Sequence, residues 1–214
     1  MLLSPIINVK DELEEEAIMK SSKGVLGIVA SPRNSGNTAI LVKEVLKGAE
    51  EKGYETDLKC LGDLKINPLV ASTSDKQSVW SSYSNKPYGV TGPKDDMELI
   101  YPSLEKMGVF VFGTPIYFDH VSARAKAFID RLIYYEREIT KDRFPKNVRA
   151  VIILTYEWDK PEAYGSVVEW IKHTLEEYFK MKVVASLQAE NTVKNPVVNR
   201  EDLLKKARQI GRNV

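Results

Sequence analysis

From Gly24 onward the chain alternates between short apolar runs and stretches of helical period, and this alternation constrains its fold more than any other feature. Val25-Leu26-Gly27-Ile28-Val29-Ala30 is an unbroken apolar run of the kind found in a strand covered on both faces. Residues 37–52 then place Ile40, Leu41, Val45, Leu46 and Ala49 at helical spacing and stop near Gly53. The pattern predicts further strands over 54–60, 107–113, 148–154 and 182–187. It predicts helices over 95–106, 119–137, 162–179 and 201–210. Strand and helix in strict alternation describe an α/β fold, a doubly wound parallel sheet of five strands between two layers of helices.

Two segments depart from the pattern. Residues 1–23 read as an N-terminal arm, broken at Pro5 and with a short helix over 10–20, that is either a solvated extension or a clasp on a neighbouring subunit. The domain proper is 24–214. Inside it, residues 62–93 hold Pro68, Pro87, Gly89, Gly92, Pro93 and a series of serines with no period, so they read as one long loop. Trp80, Tyr83 and Tyr88 in that loop either anchor it to the body or wall a pocket or interface.

Bulk properties remove several function classes. The 214 residues carry 31 basic and 30 acidic side chains, a formal charge of +1, which argues against general nucleic-acid or membrane-surface binding. One cysteine, Cys60, cannot form an intramolecular disulfide, and cannot by itself supply a cysteine zinc site or an iron–sulfur cluster. Cysteine poverty fits a reducing compartment, and the acidic run Asp11 to Glu16 makes the N-terminus a poor signal peptide, so the expected location is the cytoplasm. No stretch approaches the roughly 20 apolar residues a membrane helix needs.

The chemistry lies in the loops. Between the first strand and its helix stands Ser31-Pro32-Arg33-Asn34-Ser35-Gly36-Asn37-Thr38. A helix beginning there leaves its first backbone N–H groups unpaired at the positive end of its dipole, and an anion satisfies both. Ser31, Ser35 and Thr38 add hydroxyls, Asn37 an amide and Arg33 a guanidinium, while Gly36 permits close approach. The same residue types also make ordinary turns and N-caps, which is the plainer reading of the loop alone. There is no Gly-Lys-Ser/Thr ending and no Gly-x-Gly-x-x-Gly, so neither a nucleoside-triphosphate loop nor a dinucleotide fingerprint is present. A terminal monoester phosphate, such as that of FMN, suits what remains.

The third strand leaves the sheet through Thr114-Pro115-Ile116-Tyr117-Phe118, an odd place for two aromatics unless something flat packs against them. With strand order 2-1-3-4-5, strands one and three are neighbours whose chains depart in opposite directions, and ligands bind in the crevice between them, as FMN does in flavodoxin. Both unusual loops fall at that crevice. The helix that follows carries Arg124, Lys126, Asp130 and Arg131 as a solvated or ion-paired face, with Asp119 or Ser122 as its cap.

Ser-Pro-Arg-x-Ser-Gly-Asn-Thr after an apolar strand, with Thr-Pro-Ile-Tyr-Phe before Val-Ser-Ala-x-x-Lys-Ala-Phe-Ile-Asp-Arg, resembles the NADPH-dependent FMN reductase family, in particular its iron–sulfur flavoprotein branch. The similarity runs from about Gly24 to Arg131 and weakens beyond. It implies a flavodoxin-like fold, with the FMN phosphate held by Ser31, Arg33, Ser35, Gly36, Asn37 and Thr38. It places Pro115, Ile116, Tyr117 and Phe118 along the isoalloxazine, with Thr155 as a further contact. It also implies NADPH or NADH as electron donor, a small-molecule acceptor such as a quinone or free flavin, and a homodimer or homotetramer. The branch carries a compact cysteine cluster after an Asn-Pro like Asn67-Pro68. Here Leu69-Val70-Ala71-Ser72-Thr73-Ser74 follows instead, so no iron–sulfur cluster is expected.

Three functions stay open on these grounds: an FMN-dependent NAD(P)H oxidoreductase, an electron-transfer flavoprotein serving a protein partner, and a cofactor-free binding protein on the same fold. No side chain is named as catalytic, because the cofactor would carry the chemistry. Cys60 reads as a buried strand residue, His120 as a residue at a helix start or a gate on the flavin, and His173 as surface.

Overall fold

A computed structural model describes residues 24–69, 95–136 and 140–214. The N-terminal arm and Trp80, Tyr83 and Tyr88 lie outside the described residues. Strand β1 (Gly24–Val29) leads through the 30–36 loop into helix α1 (Asn37–Glu50), and β2 (Thr56–Cys60) follows. A 3-10 turn (Asp96–Leu99) and a one-turn helix α2 (Tyr101–Leu104) precede the long strand β3 (Met107–Tyr117). Then come a two-residue strand β4 (His120–Val121), α3 (Ala123–Arg131), β5 (Arg149–Thr155), α4 (Gly165–His173), β6 (Lys182–Ala189) and α5 (Glu201–Arg212).

The sheet runs β2-β1-β3-β5-β6, with β4 hanging antiparallel off the end of β3. Every other pairing is parallel. Counting parallel strands only, this is the expected order 2-1-3-4-5, and the fold is flavodoxin-like.

The continuous apolar strands are explained by burial on both faces. Leu26, Ile28, Phe110 and Phe112 point into a core shared with α3 and α4. Val25, Val29, Val109 and Val111 point into a second core under α1 and α5. The α1–α5 crossing is unusually close. A Cβ on Gly48 would lie 2.0 Å from the Arg208 carbonyl oxygen, and one on Gly211 would lie 1.9 Å from that of Val45. Glu44 on α1 accepts from Arg208 on α5 at 2.5 and 2.9 Å beside that contact.

Several elements differ from the sequence expectation. β3 continues past Gly113 to Tyr117, because Thr114 and Pro115 pair with Leu154 and Thr155 of β5. β1 pairs only as far as Gly113, so Pro115 sits where one side of β3 is locally an edge and its missing N–H leaves no gap in the ladder. The helix expected from 119 begins only at Ala123, capped by Ser122, whose hydroxyl accepts from the Ala125 N–H at 3.1 Å. His120 is therefore a strand residue, not a helix start, and its ring packs on Trp170 with centroids 4.8 Å apart. Arg131, expected on a solvated or ion-paired face, is ion-paired but wholly buried with Asp95. Cys60 is half-buried, and burial pushes its thiol pKa up. His173 is exposed, as expected.

Candidate cofactor site

At the carboxyl edge of the sheet, Ala30 donates its N–H to the Gly113 carbonyl at 2.8 Å and the 31–36 loop turns away into α1. Gly36 is the N-cap of that helix, with φ −78° and no side-chain capping bond. The first bond of the helical ladder is Ile40 N–H to the Gly36 carbonyl, 3.0 Å, so the N–H groups of Asn37, Thr38 and Ala39 precede it. A glycine N-cap leaves the start of the helix open to an external acceptor.

The loop is built stiffly around this opening. Ser31 is buried and its hydroxyl accepts the Arg33 N–H at 3.1 Å. Asn34 donates to Asp63 on the turn after β2, and Gly62 lets that turn approach closely. A Cβ at Gly62 would stand 2.9 Å from the Pro32 carbonyl oxygen and 3.0 Å from that of Ser31. Arg33 and Ser35 are exposed at the mouth.

Asn37 and Thr38 turn inward. The Asn37 amide donates to the Thr192 carbonyl at 3.0 Å and accepts the Val197 N–H at 2.9 Å, which ties α1 to the loop after β6. Its side chain is thus committed to protein, and its backbone N–H is what it offers the helix start. Thr38 Oγ1 lies 2.7 Å from Thr155 Oγ1, both buried, so the first loop and the end of β5 are joined by one hydrogen bond. Ser122 closes the other side, donating to the Ala30 carbonyl at 2.7 Å while its N–H reaches Thr114 Oγ1 at 3.2 Å.

Beside the helix start lies a cleft of about 440 Å³ lined by Ile116, Tyr117, Phe118, Asp119, Tyr156, Glu157, Trp158 and Tyr164. Pro115 is in the β3 segment leading into it. The Phe118 side chain is fully exposed at 103%, and Tyr117 and Trp158 are about half exposed at 46% and 52%. Tyr164 donates to Asp119 at 2.8 Å, and that bond raises its hydroxyl pKa. Burial pushes up that of Tyr156, whose hydroxyl donates to the Lys160 carbonyl at 3.2 Å. Both phenols are therefore protonated donors at neutral pH.

The residues present fit a flavin mononucleotide. The open helix start with its hydroxyls and one guanidinium suits a phosphate, and the aromatic cleft next to it suits a flat ring. The NADPH-dependent FMN reductase family model matches residues 24–194. The chain belongs to that family. It is 34% identical over 107 residues to an iron–sulfur flavoprotein of Methanocaldococcus jannaschii, covering 50% of each. It is 25% identical over 114 residues to an iron–sulfur flavoprotein of Methanosarcina thermophila, covering 53% of this chain and 54% of that one. The chain thus spans about half the length of the curated relatives it matches.

Among solved structures it resembles an NAD(P)H:quinone oxidoreductase from Methanothermobacter marburgensis, with TM-score 0.62 and 16% identity over 90% of this chain and 96% of that one. An azoreductase from Bacillus anthracis gives TM-score 0.58 and 12% identity over 90% and 100%. At such identities the likeness is one of fold.

Of the family member's expected site residues, the structure brings Ser31 to Thr38 together at the helix start, joins Thr155 to Thr38, and places Ile116, Tyr117 and Phe118 on the cleft. Sequence reasoning missed the far wall, Trp158 and Tyr164, and the 190–197 loop that holds Asn37. The Glu157-Trp158 pair just past the end of β5 was the available signal, since binding residues gather at the carboxyl ends of parallel strands.

Proposed function

We propose that this chain binds FMN between the α1 start and the 116–164 cleft and acts as an NAD(P)H-dependent oxidoreductase on a small acceptor such as a quinone or free flavin. The observation that carries the reading is convergence. An uncapped helix N-terminus after β1 and an aromatic cleft after β3 and β5 meet at the one crevice where the strand order reverses.

In this reading the backbone N–H groups of Asn37 and Thr38, the Ser35 hydroxyl and Arg33 hold the phosphate. Ser31 supports the loop through Arg33 N–H, and Gly36 leaves the helix start uncovered. Pro115, Ile116, Tyr117 and Phe118 flank the ring, and Thr155 steadies the floor through Thr38. Bound FMN would supply the redox chemistry, taking a hydride from a nicotinamide and releasing electrons to the acceptor. The protein's share is to bind, orient and exclude water. The single cysteine leaves that electron path without an iron–sulfur cluster of the chain's own. Assembly as a homodimer or homotetramer is part of the same reading, with exposed Phe118 and Trp158 available to a neighbouring subunit.

Titration with FMN and with riboflavin, which lacks the phosphate, tests the loop assignment. Charge-assisted bonds to phosphate are each worth about 1.5–3 kcal/mol, so FMN should bind at least ~10-fold more tightly. Arg33→Ala should narrow that gap and leave riboflavin affinity unchanged. Equal affinities for the two ligands would remove the phosphate from this loop.

A further inference from the structure

The β3–β4 hairpin turns through two residues, Phe118 and Asp119, between the paired Tyr117 and His120. Both are left-handed, with φ of 48° and 61°. A two-residue hairpin with positive φ at both positions is a type I′ turn, which ordinarily takes Asn-Gly or Asp-Gly. Phenylalanine is a costly residue for that geometry, because its Cβ crowds the neighbouring carbonyl in the left-handed region, whereas aspartate tolerates it better. A fully exposed Phe118 side chain gains no core packing to offset it. The Ile116–Val121 and Tyr117–His120 pairs close the hairpin, and contacts outside the turn add to them.

Two ties run from the hairpin to α4 and the residue that precedes it, Tyr164. The His120 ring packs on Trp170, and Asp119 Oδ1 accepts the Tyr164 hydroxyl at 2.8 Å. Tyr164 is itself fixed. Its N–H donates to Gln188 Oε1 at 3.3 Å, and its ring meets that of Tyr156 edge-on with centroids 4.8 Å apart. The tie therefore runs from an anchored phenol to the one turn residue able to accept a hydrogen bond through its side chain.

We propose that Tyr164 is a positioning residue, whose hydroxyl acts through Asp119 to hold the left-handed Phe118–Asp119 turn and so sets the wall of the cleft that receives the flavin ring. The last clause rests on the flavin reading above; the latch itself does not.

Two measurements on the full chain separate the two. Amide hydrogen exchange without ligand reads the latch. Tyr164→Phe should speed exchange of the amides of 117–121 by about 3-fold, the worth of one exposed hydrogen bond to a charged group, and leave the β1 amides unchanged. Asp119→Asn keeps an acceptor and should stay close to wild type. FMN titration reads the consequence. Tyr164→Phe should weaken binding by no more than that factor, about 3-fold. Tyr164→Phe combined with Asp119→Gly should regain most of that loss, because glycine adopts positive φ without a tether. Unchanged exchange in Tyr164→Phe would overturn the latch. A double variant as weak as Tyr164→Phe alone would overturn positioning in favour of direct contact between Tyr164 and the ligand. A wild-type chain that binds no FMN would end the functional reading and the flavin half of this inference, while the exchange result would still decide whether Tyr164 holds the turn.

Discussion

Thr38 and Thr155 stand far apart in the chain, yet share one buried hydrogen bond of 2.7 Å beneath the helix start. Thr38→Val keeps the shape and leaves the Thr155 hydroxyl without that partner, so it should cost about 1–2 kcal/mol in urea unfolding. A second buried contact works on a different part of the fold. Asp95 accepts from Arg131, from the Asn67 N–H at 2.9 Å and from the Met97 N–H at 3.1 Å. Burial by itself would raise the Asp95 pKa, but Arg131 and the two N–H groups together hold it below the usual carboxylate value. A lowered folded pKa means that the contribution is full above the unfolded value of about 3.9 and is lost as pH falls through the folded one. Unfolding free energy should therefore drop as the wild type is taken from pH 5 toward pH 2. Asp95→Asn should flatten that limb and cost about 3–5 kcal/mol at pH 7, because Arg131 stays buried without its counter-charge. Neither contact was readable from the sequence. Ser31 to Thr38 stood out because the types and order of its residues carry chemistry locally, whereas Thr38–Thr155, Asn37–Thr192 and Tyr164–Asp119 are pairings that only the fold creates.

Among the elements, α1 does two jobs with one sequence. Its first turn is left open toward the crevice, and its last turns press α5 so closely that Gly48 and Gly211 have no room for a Cβ. Gly48→Ala must push the two helices apart against backbone rather than a yielding side chain. The expected cost is about 1–3 kcal/mol by chemical denaturation, with the slope on denaturant unchanged. The strands were legible because burial on both faces writes itself as unbroken apolar runs, and α1 because its apolar face repeats at helical spacing. The stretch from 114 to 122 was not. Thr-Pro reads locally as a turn, but β5 continues past the end of β1 and offers β3 a partner for two more residues. The hairpin that follows has neither asparagine nor glycine to announce it, and the Tyr164–Asp119 bond proposed to hold it is a pairing that only the fold creates.

For the whole molecule, the order β2-β1-β3-β5-β6 brings the exits of β1 and β3 to one crevice, and every residue proposed for the cofactor follows from that reversal. None of the described helices is long and apolar enough to cross a membrane. Family membership and fold are established by the match over 24–194 and by the topology, while the step to a reaction rests on the crevice. The visible absorption spectrum of the purified full chain, supplied with FMN and then with anaerobic NADPH, tests that step directly. The account predicts flavin bands that stay with the protein through gel filtration and bleach when NADPH is added. A protein that retains no flavin, or one whose flavin bands are indifferent to both NADPH and NADH, would contradict it.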